Sequence, residues 1–265
     1  MVRLKASRWH YLFLFFLAAQ SGLAKEEEYI FNTQDFAPFS EKDGKGNVIG
    51  PGVDVISAVC ANLKAKCAFR LLPWTRAQEE VKEGKAHGMF LIGWNKERES
   101  TLYFSLPILQ TEYGFFAHAD DSFTYKDPTD LDGKKIRVYG PSNTSKAMDK
   151  LTVELTSAGK KVDVKVTDDD KKNFMMAGSG SRSNTVDAIF SNRDVGNTFI
   201  RQFKLKLRYA GCREKLNYFV AFSKQVSKDF VDRFNAELKN MRDSGKQKEI
   251  LDKYEMTLPN DSKTC

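Results

Sequence analysis

Histidine is nearly absent. Of three in the chain, only His87 and His118 lie beyond the N-terminal segment. No Cys-x-x-C pair and no Cys/His spacing of a zinc site occurs, so a metal centre is not expected. The chain also lacks a nucleophile elbow, a P-loop and a glycine-rich dinucleotide turn. No catalytic set and no cofactor are therefore expected. Lysine and arginine are scattered without a long basic block, so nucleic acid is not an expected partner. Beyond residue 24 no stretch is apolar enough to cross a bilayer, and there is no internal repeat or low-complexity tract.

What is present begins with an export signal. Arg3, Lys5 and Arg8 precede the apolar run YLFLFFLAA over 11–19, which has the length of a signal core. Ser21, Gly22 and Ala24 then supply small residues before a charged stretch. Residues 1–24 are expected to be cleaved, and with no cysteine at that point a lipid anchor is not expected. Their loss removes three basic and no acidic residues, lowering the net charge from +7 to +4. The high isoelectric point is thus partly a property of the signal.

The remaining length suits one large domain or two small ones. All four cysteines, Cys60, Cys67, Cys212 and Cys265, lie in the exported part, where an even count suggests disulfides. Cys60 and Cys67 flank a helix end that turns into a strand, which a bridge could clip. Cys212 and Cys265 are the remaining pair. The pairing itself is not fixed by the spacing.

Strand and helix patterns alternate along the chain, which predicts an α/β fold. Strands are expected over 29–33, 67–72, 88–92 and 112–118, with helices over 52–63, 74–83 and from Asn95 to before Tyr103. A second series has strands over 135–139, 162–167, 186–191, 205–210 and 218–222. Its helices are expected over 143–157, 169–177, 194–203, 227–243 and 250–254, with a flexible loop over 178–183. In the helix over 227–243, Phe230, Phe234, Leu238 and Met241 form one apolar stripe. Two such series joined by long strands predict two lobes: 25–116 with 219–265, and 117–218. The strands EYGFFAH and NYFVAF are the expected crossings.

Several constellations carry chemistry. Phe36 and Phe39 lie in a loop after a strand's carboxyl end, where open α/β sheets bind ligands. Phe39 is expected in the core and Phe36 on a ligand. Trp74 opens a helix behind Pro73 and is expected to face Phe36 across a cleft. Asn95 is a predicted helix cap that sets Arg98 in the first turn; a guanidinium suits a carboxylate because it binds bidentately. The helix start after Gly140 offers free N–H groups, with Ser142 and Asn143 as added donors for an anion. The acidic run 168–170 is expected to be a solvated helix start.

These pieces, in this order, resemble the small-solute-binding proteins of bacterial ABC importers, in the branch that binds polar amino acids. The aromatic loop, FSLP over 104–107, DLDGKK over 130–135, VDA over 186–188 and VAFSK over 220–224 all look like that family. The resemblance runs from Tyr29 to near Tyr254. It implies a two-lobed periplasmic-binding-protein-like type II fold with a hinge and an interlobe cleft. It implies that Phe36 and Trp74 sandwich a ligand side chain, that Arg98 binds its carboxylate, and that Ser142 and Asn143 support that carboxylate. A periplasmic, monomeric protein delivering its ligand to a membrane permease is the implied function. A sensor that presents its closed form to a membrane receptor is the alternative. Cyclohexadienyl dehydratases resemble the fold too and use a carboxylic acid in the cleft, but the residues suggest no singular acid there. Two departures stand out. Gly93, Trp94 and Asn95 replace the usual Ser or Thr donor before the arginine, and Trp94 could line or fill the cleft. Asn192 replaces the usual aspartate that holds an α-ammonium, which points away from a standard amino acid.

Overall fold

A computed structural model describes residues 28–178, 186–262 and 264–265. The expected signal and most of the expected loop over 178–183 lie outside the described residues. The chain runs β1 (Glu28–Thr33), β2 (Glu41–Lys42), β3 (Val48–Ile49), α1 (Pro51–Asn62), β4 (Lys66–Leu71), α2 (Trp74–Lys82) and β5 (Gly88–Ile92). It continues through α3 (Lys96–Thr101), β6 (Leu102–Phe104) and β7 (Leu109–His118) to a 3₁₀ turn (Pro128–Leu131). The second series is β8 (Lys135–Tyr139), α4 (Asn143–Ser157), β9 (Asp163–Thr167), α5 (Asp170–Gly178), β10 (Ala188–Asn192) and α6 (Arg193–Phe203). β11 (Leu207–Ser223), α7 (Lys228–Asp243) and α8 (Lys246–Asp252) close it.

Local chemistry sets these boundaries. α4 starts with a capping box, in which the Ser142 hydroxyl accepts from the Ser145 N–H and the Ser145 side chain accepts from Ser142 N–H. α7 is capped by Ser227 and buries Phe230, Phe234, Leu238 and Met241, the stripe that its periodicity predicts. Ahead of α1, Gly50 sits at φ 133°, and a Cβ there would collide with the Phe39 carbonyl. That close approach folds the aromatic loop back onto the helix start.

Among the described residues, nine strands form one mixed sheet in the order β4-β1-β5-β11-β7-β10-β8-β9, with β6 beside β11, while β2 and β3 pair apart from it. β1 pairs in parallel with β4 and β5, and β8 in parallel with β10 and β9. The two parallel groups are joined by β7 and β11, which pair antiparallel from Leu207 opposite His118 to Tyr218 opposite Leu109. The expected strands over 205–210 and 218–222 are therefore one continuous strand, bulged near Gly211 and Arg213. β7 likewise starts earlier than expected, at Leu109. α8 starts before the expected final helix and ends at Asp252.

Each group has its own core. Phe31, Ile56, Phe90, Phe222 and Phe234 anchor the first, with α1 and α7 packed on it. Phe115, Ile136, Met148, Leu151 and Phe190 anchor the second. Two lobes therefore meet along β7 and β11. Cys60 bonds to Cys67 between α1 and β4, and Cys212 on β11 bonds to Cys265. On its way there the tail pairs Thr257 with Gln110 and gives the Asn260 carbonyl to Asn217 and Gln110.

Candidate ligand-binding cleft

The carboxyl ends of six strands converge where the lobes face each other. β1 runs into the loop with Phe36, β4 into Trp74, and β5 into Gly93 and Arg98. β8 runs into Ser142, β9 into Asp170 and β10 into Asn192. A cavity of about 360 Å³ lies between them, and Phe36, Trp74, Arg98, Ser142, Asn143 and Asn192 all line it. Trp94 and Asn95 line instead a neighbouring cavity of about 490 Å³, beside Arg98, Asn143 and Lys150. The lobes come close here: a Cβ on Gly93 would lie 3.9 Å from the Asn143 amide nitrogen.

The first lobe holds its side chains firmly. The Phe36 ring packs 5.0 Å from Phe39, which is fully buried, and 6.1 Å from Tyr218. Trp74 is the first residue of α2, and that helix is pinned from below. Glu80 accepts from Arg70 at 2.7 Å, from Arg76 at 3.0 Å and from Asn32 at 3.2 Å. Asn95 caps α3 by accepting from the Arg98 N–H at 2.8 Å, so its side-chain oxygen serves the backbone. The Arg98 guanidinium donates to the Gly93 carbonyl at 2.7 Å and forms no ion pair among the described residues. Burial lowers its pKa, the nearby Glu97 opposing this, because the cation is half withdrawn from water without a carboxylate.

The second lobe offers polar groups. The Ser142 hydroxyl donates to the Tyr139 carbonyl at 2.7 Å while capping α4, so it is occupied. The N–H groups of Asn143 and Thr144 remain open in the first turn of a helix of 15 residues. Asn192 is 4% exposed. Its side-chain oxygen accepts from the N–H of Asp194 at 2.9 Å and of Val195 at 3.3 Å, and lies 3.1 Å from the Thr111 hydroxyl. It is the N-cap of α6, and its amide nitrogen is buried without a partner. Arg193 next to it bridges Glu112 and Asp194, at 3.4 Å and 3.0 Å.

Sequence reasoning missed Asp170, expected within a solvated acidic run. It is the first residue of α5 and lines the cavity. One carboxylate oxygen accepts from the Ser191 hydroxyl at 2.8 Å; the other is buried with no partner. Burial pushes its carboxyl up to about 6, against the hydrogen bond from Ser191 and the nearby Asn173 side chain. Its position was recoverable, because it follows the carboxyl end of a parallel strand as Ser142 and Asn192 do. Tyr113 and Tyr218 were missed as well. They line the cleft, and burial raises both hydroxyls, Tyr113 to about 12 and Tyr218 well above its ordinary value.

The arrangement can close over a small polar molecule, with an aromatic pair and a free guanidinium on one wall and hydrogen-bonding groups on the other. Comparisons agree with that. The arginine-binding periplasmic protein of Mannheimia haemolytica is 25% identical over 242 residues, covering 87% of this chain and 92% of its own. A histidine kinase sensor domain similar to periplasmic binding proteins superposes with a TM-score of 0.70 at 19% identity, covering 88% of this chain and 98% of that one. The ancestral amino-acid-binding protein that is a precursor of cyclohexadienyl dehydratase gives a TM-score of 0.68 at 19% identity, covering 87% and 96%. Residues 30–257 match the bacterial extracellular solute-binding proteins, family 3, and the chain belongs to that family, with its two-lobed periplasmic-binding-protein type II fold, hinge and interlobe cleft.

Proposed function

We propose that this protein works in the periplasm, where it captures an amino acid or a related carboxylate in the interlobe cleft for ABC-type import. Arg98 is the observation that carries the reading. Its guanidinium lines the cavity, is half-buried, and has no carboxylate partner among the described residues. Leaving a charge uncompensated away from water is costly, and a bidentate carboxylate offsets that cost. The open N–H groups at the start of α4 favour the same anion from the second lobe. Phe36 and Trp74 flank the ligand's side chain, and Ser142, Asn143 and Asn192 complete the site. In this reading residues 25–116 and 219–265 form the first lobe and 117–218 the second, after removal of residues 1–24 as signal. The protein works as a monomer without a cofactor and closes by a hinge motion that a permease reads. The arginine-binding relative makes L-arginine the first ligand to try.

The test is a thermal-shift screen of amino acids and small carboxylates, because a ligand of the folded state raises Tm by mass action. A shift that disappears in Arg98→Ala supports the assignment. A ligand whose shift survives Arg98→Ala would remove the carboxylate reading. The sensor-domain neighbour favours a second reading, in which a membrane receptor recognises the closed form. Asp170, a partly buried acid in the cleft, favours a third: a dehydratase on the same scaffold. Turnover of prephenate or arogenate by the pure protein tests it, and none is expected.

A further inference from the structure

We infer that Asp170, in place of residue 192, is the anionic group of the cleft, and that the ligand carries a protonated nitrogen that docks on it. This deepens the proposed function and rests on it. Asn192 cannot take a cation. Its oxygen already accepts from the Asp194 and Val195 N–H groups and lies 3.1 Å from the Thr111 hydroxyl, whose proton has a shorter path to Asp194 at 2.6 Å, and its remaining group is an N–H donor. Glu112 and Asp194 are tied to Arg193 and do not line the cavity. Among the described residues lining it, Asp170 is the acid.

Two buried atoms in this cavity lack partners, and their polarity is opposite. Asp170 Oδ1 is left with only the Asn173 side chain beside it, and Asn192 Nδ2 with only the Tyr218 hydroxyl, neither close enough for a full hydrogen bond. Buried polar groups are nearly always paired, so closure on a ligand group that pairs either atom better than these neighbours do would be favoured. The charges tell the same story. Arg98 from the first lobe, and Asp170 and Lys146 from the second, line one cavity, yet among the described residues no ion pair joins Asp170 to either cation. A ligand that bears both a carboxylate and a cation would satisfy each and bridge the lobes. The cation is an ammonium or a guanidinium, and both donate N–H to a carboxylate. The inference assigns to Asp170 the selection of zwitterions over simple acids.

Calorimetric titration of the purified protein with four carboxylates tests it. L-arginine carries an ammonium and a guanidinium, L-glutamine an ammonium, 5-guanidinopentanoate a guanidinium, and glutaramate no cation. Asp170→Asn should weaken the cation-bearing probes that the wild type binds by roughly 30-fold or more, and leave glutaramate within about threefold. Retained glutaramate binding also shows the variant to be folded. Loss for L-arginine and L-glutamine alone identifies the ammonium as the docked group, and loss for L-arginine and 5-guanidinopentanoate alone identifies the guanidinium. Unchanged affinity of Asp170→Asn for the cation-bearing probes overturns the inference, as does a wild type that prefers glutaramate to L-glutamine. Arg98→Ala separates the two levels. If it abolishes binding while Asp170→Asn does not, carboxylate capture stands and the role of Asp170 falls. If the wild type binds none of the four, both fall.

Discussion

In the first lobe the strand-to-helix loops end in Phe36, Trp74 and Arg98; in the second they end in Ser142, Asp170 and Asn192. The topology is the same, three parallel strands pointing their carboxyl ends at the cleft. The finish differs. The first wall is held by packing and internal hydrogen bonds: rings on rings, α2 pinned through Glu80, Arg98 on the Gly93 carbonyl. The second wall spends the oxygens of Ser142 and Asn192 on helix caps and leaves two buried polar atoms unpaired. One wall is pre-organised; on the proposed reading the other is completed by its ligand. Substitutions on the first wall should therefore weaken the initial capture. Those on the second should alter selectivity and the stability of the unliganded protein.

The largest break in this comparison is Arg98→Lys. It keeps the charge but loses the planar fork, and carboxylate affinity should fall by roughly 100-fold in calorimetry. A fall below about threefold would mean that the cation acts as a point charge only. Trp74→Ala comes next, with an expected loss of roughly fivefold to 30-fold, the range of an aromatic wall worth about 1–2 kcal/mol. Phe36→Ala should cost affinity and also lower Tm, because Phe36 packs on Phe39 and Tyr218 whereas Trp74 sits at a helix start.

On the second wall the sharpest test is stability against pH. The Asp170 carboxyl is raised to about 6 by burial, from the ordinary aspartate value of 3.8. The folded state thus holds this proton more tightly than the unfolded chain. Its contribution is favourable at low pH and is lost as pH rises through about 4 to 6. Asp170→Asn removes that dependence. Without ligand, the variant should melt a few °C above the wild type at pH 7.5 and no higher at pH 4. Equal melting at both would mean that Asp170 is solvated in the open protein. Asn192→Asp should have a smaller effect. It retains the cap but adds a carboxylate beside Asp194, so Tm should fall by about 1–3 °C. Affinity for a zwitterion should rise by less than about threefold if Asp170 already holds the cation. Trp94→Ala should change affinity least, by less than about twofold, since Trp94 is 44% exposed and lines the neighbouring cavity.

Much of the scaffold was legible in the sequence for local reasons. α4 is bounded by its capping box and α7 by its apolar stripe, and both helices stand where periodicity puts them. The Cys60–Cys67 bridge follows from a helix end beside a strand start. β11 was less legible. Its middle carries Arg213, Glu214 and Lys215, which interrupts any apolar alternation, and its register shifts at Gly211 and Glu214. Partnership with β7 over its length, a non-local fact, is what makes it one strand. Asp170 was illegible for the same kind of reason. Three consecutive acids look solvated, and only the return of β10, with the Ser191 hydroxyl 2.8 Å away, takes one of them out of water. Asn192 was legible as a departure; its duty as the α6 cap is local and was overlooked, whereas its contact with Thr111, from another strand, could not be read.

The Cys212–Cys265 bond has a mechanical consequence. Thr257 and Asn260 lie against the first-lobe end of β7 and β11, near Gln110 and Asn217, whereas Cys212 sits opposite Gly114 on the second-lobe side. The tail is thus a strap laid along the hinge and riveted at its far end. Any rotation that parts the lobes must stretch, slide or peel that strap, so its slack sets how wide the mouth can gape. Under reducing conditions the rivet opens and the same jaws gain travel without any change at their lining.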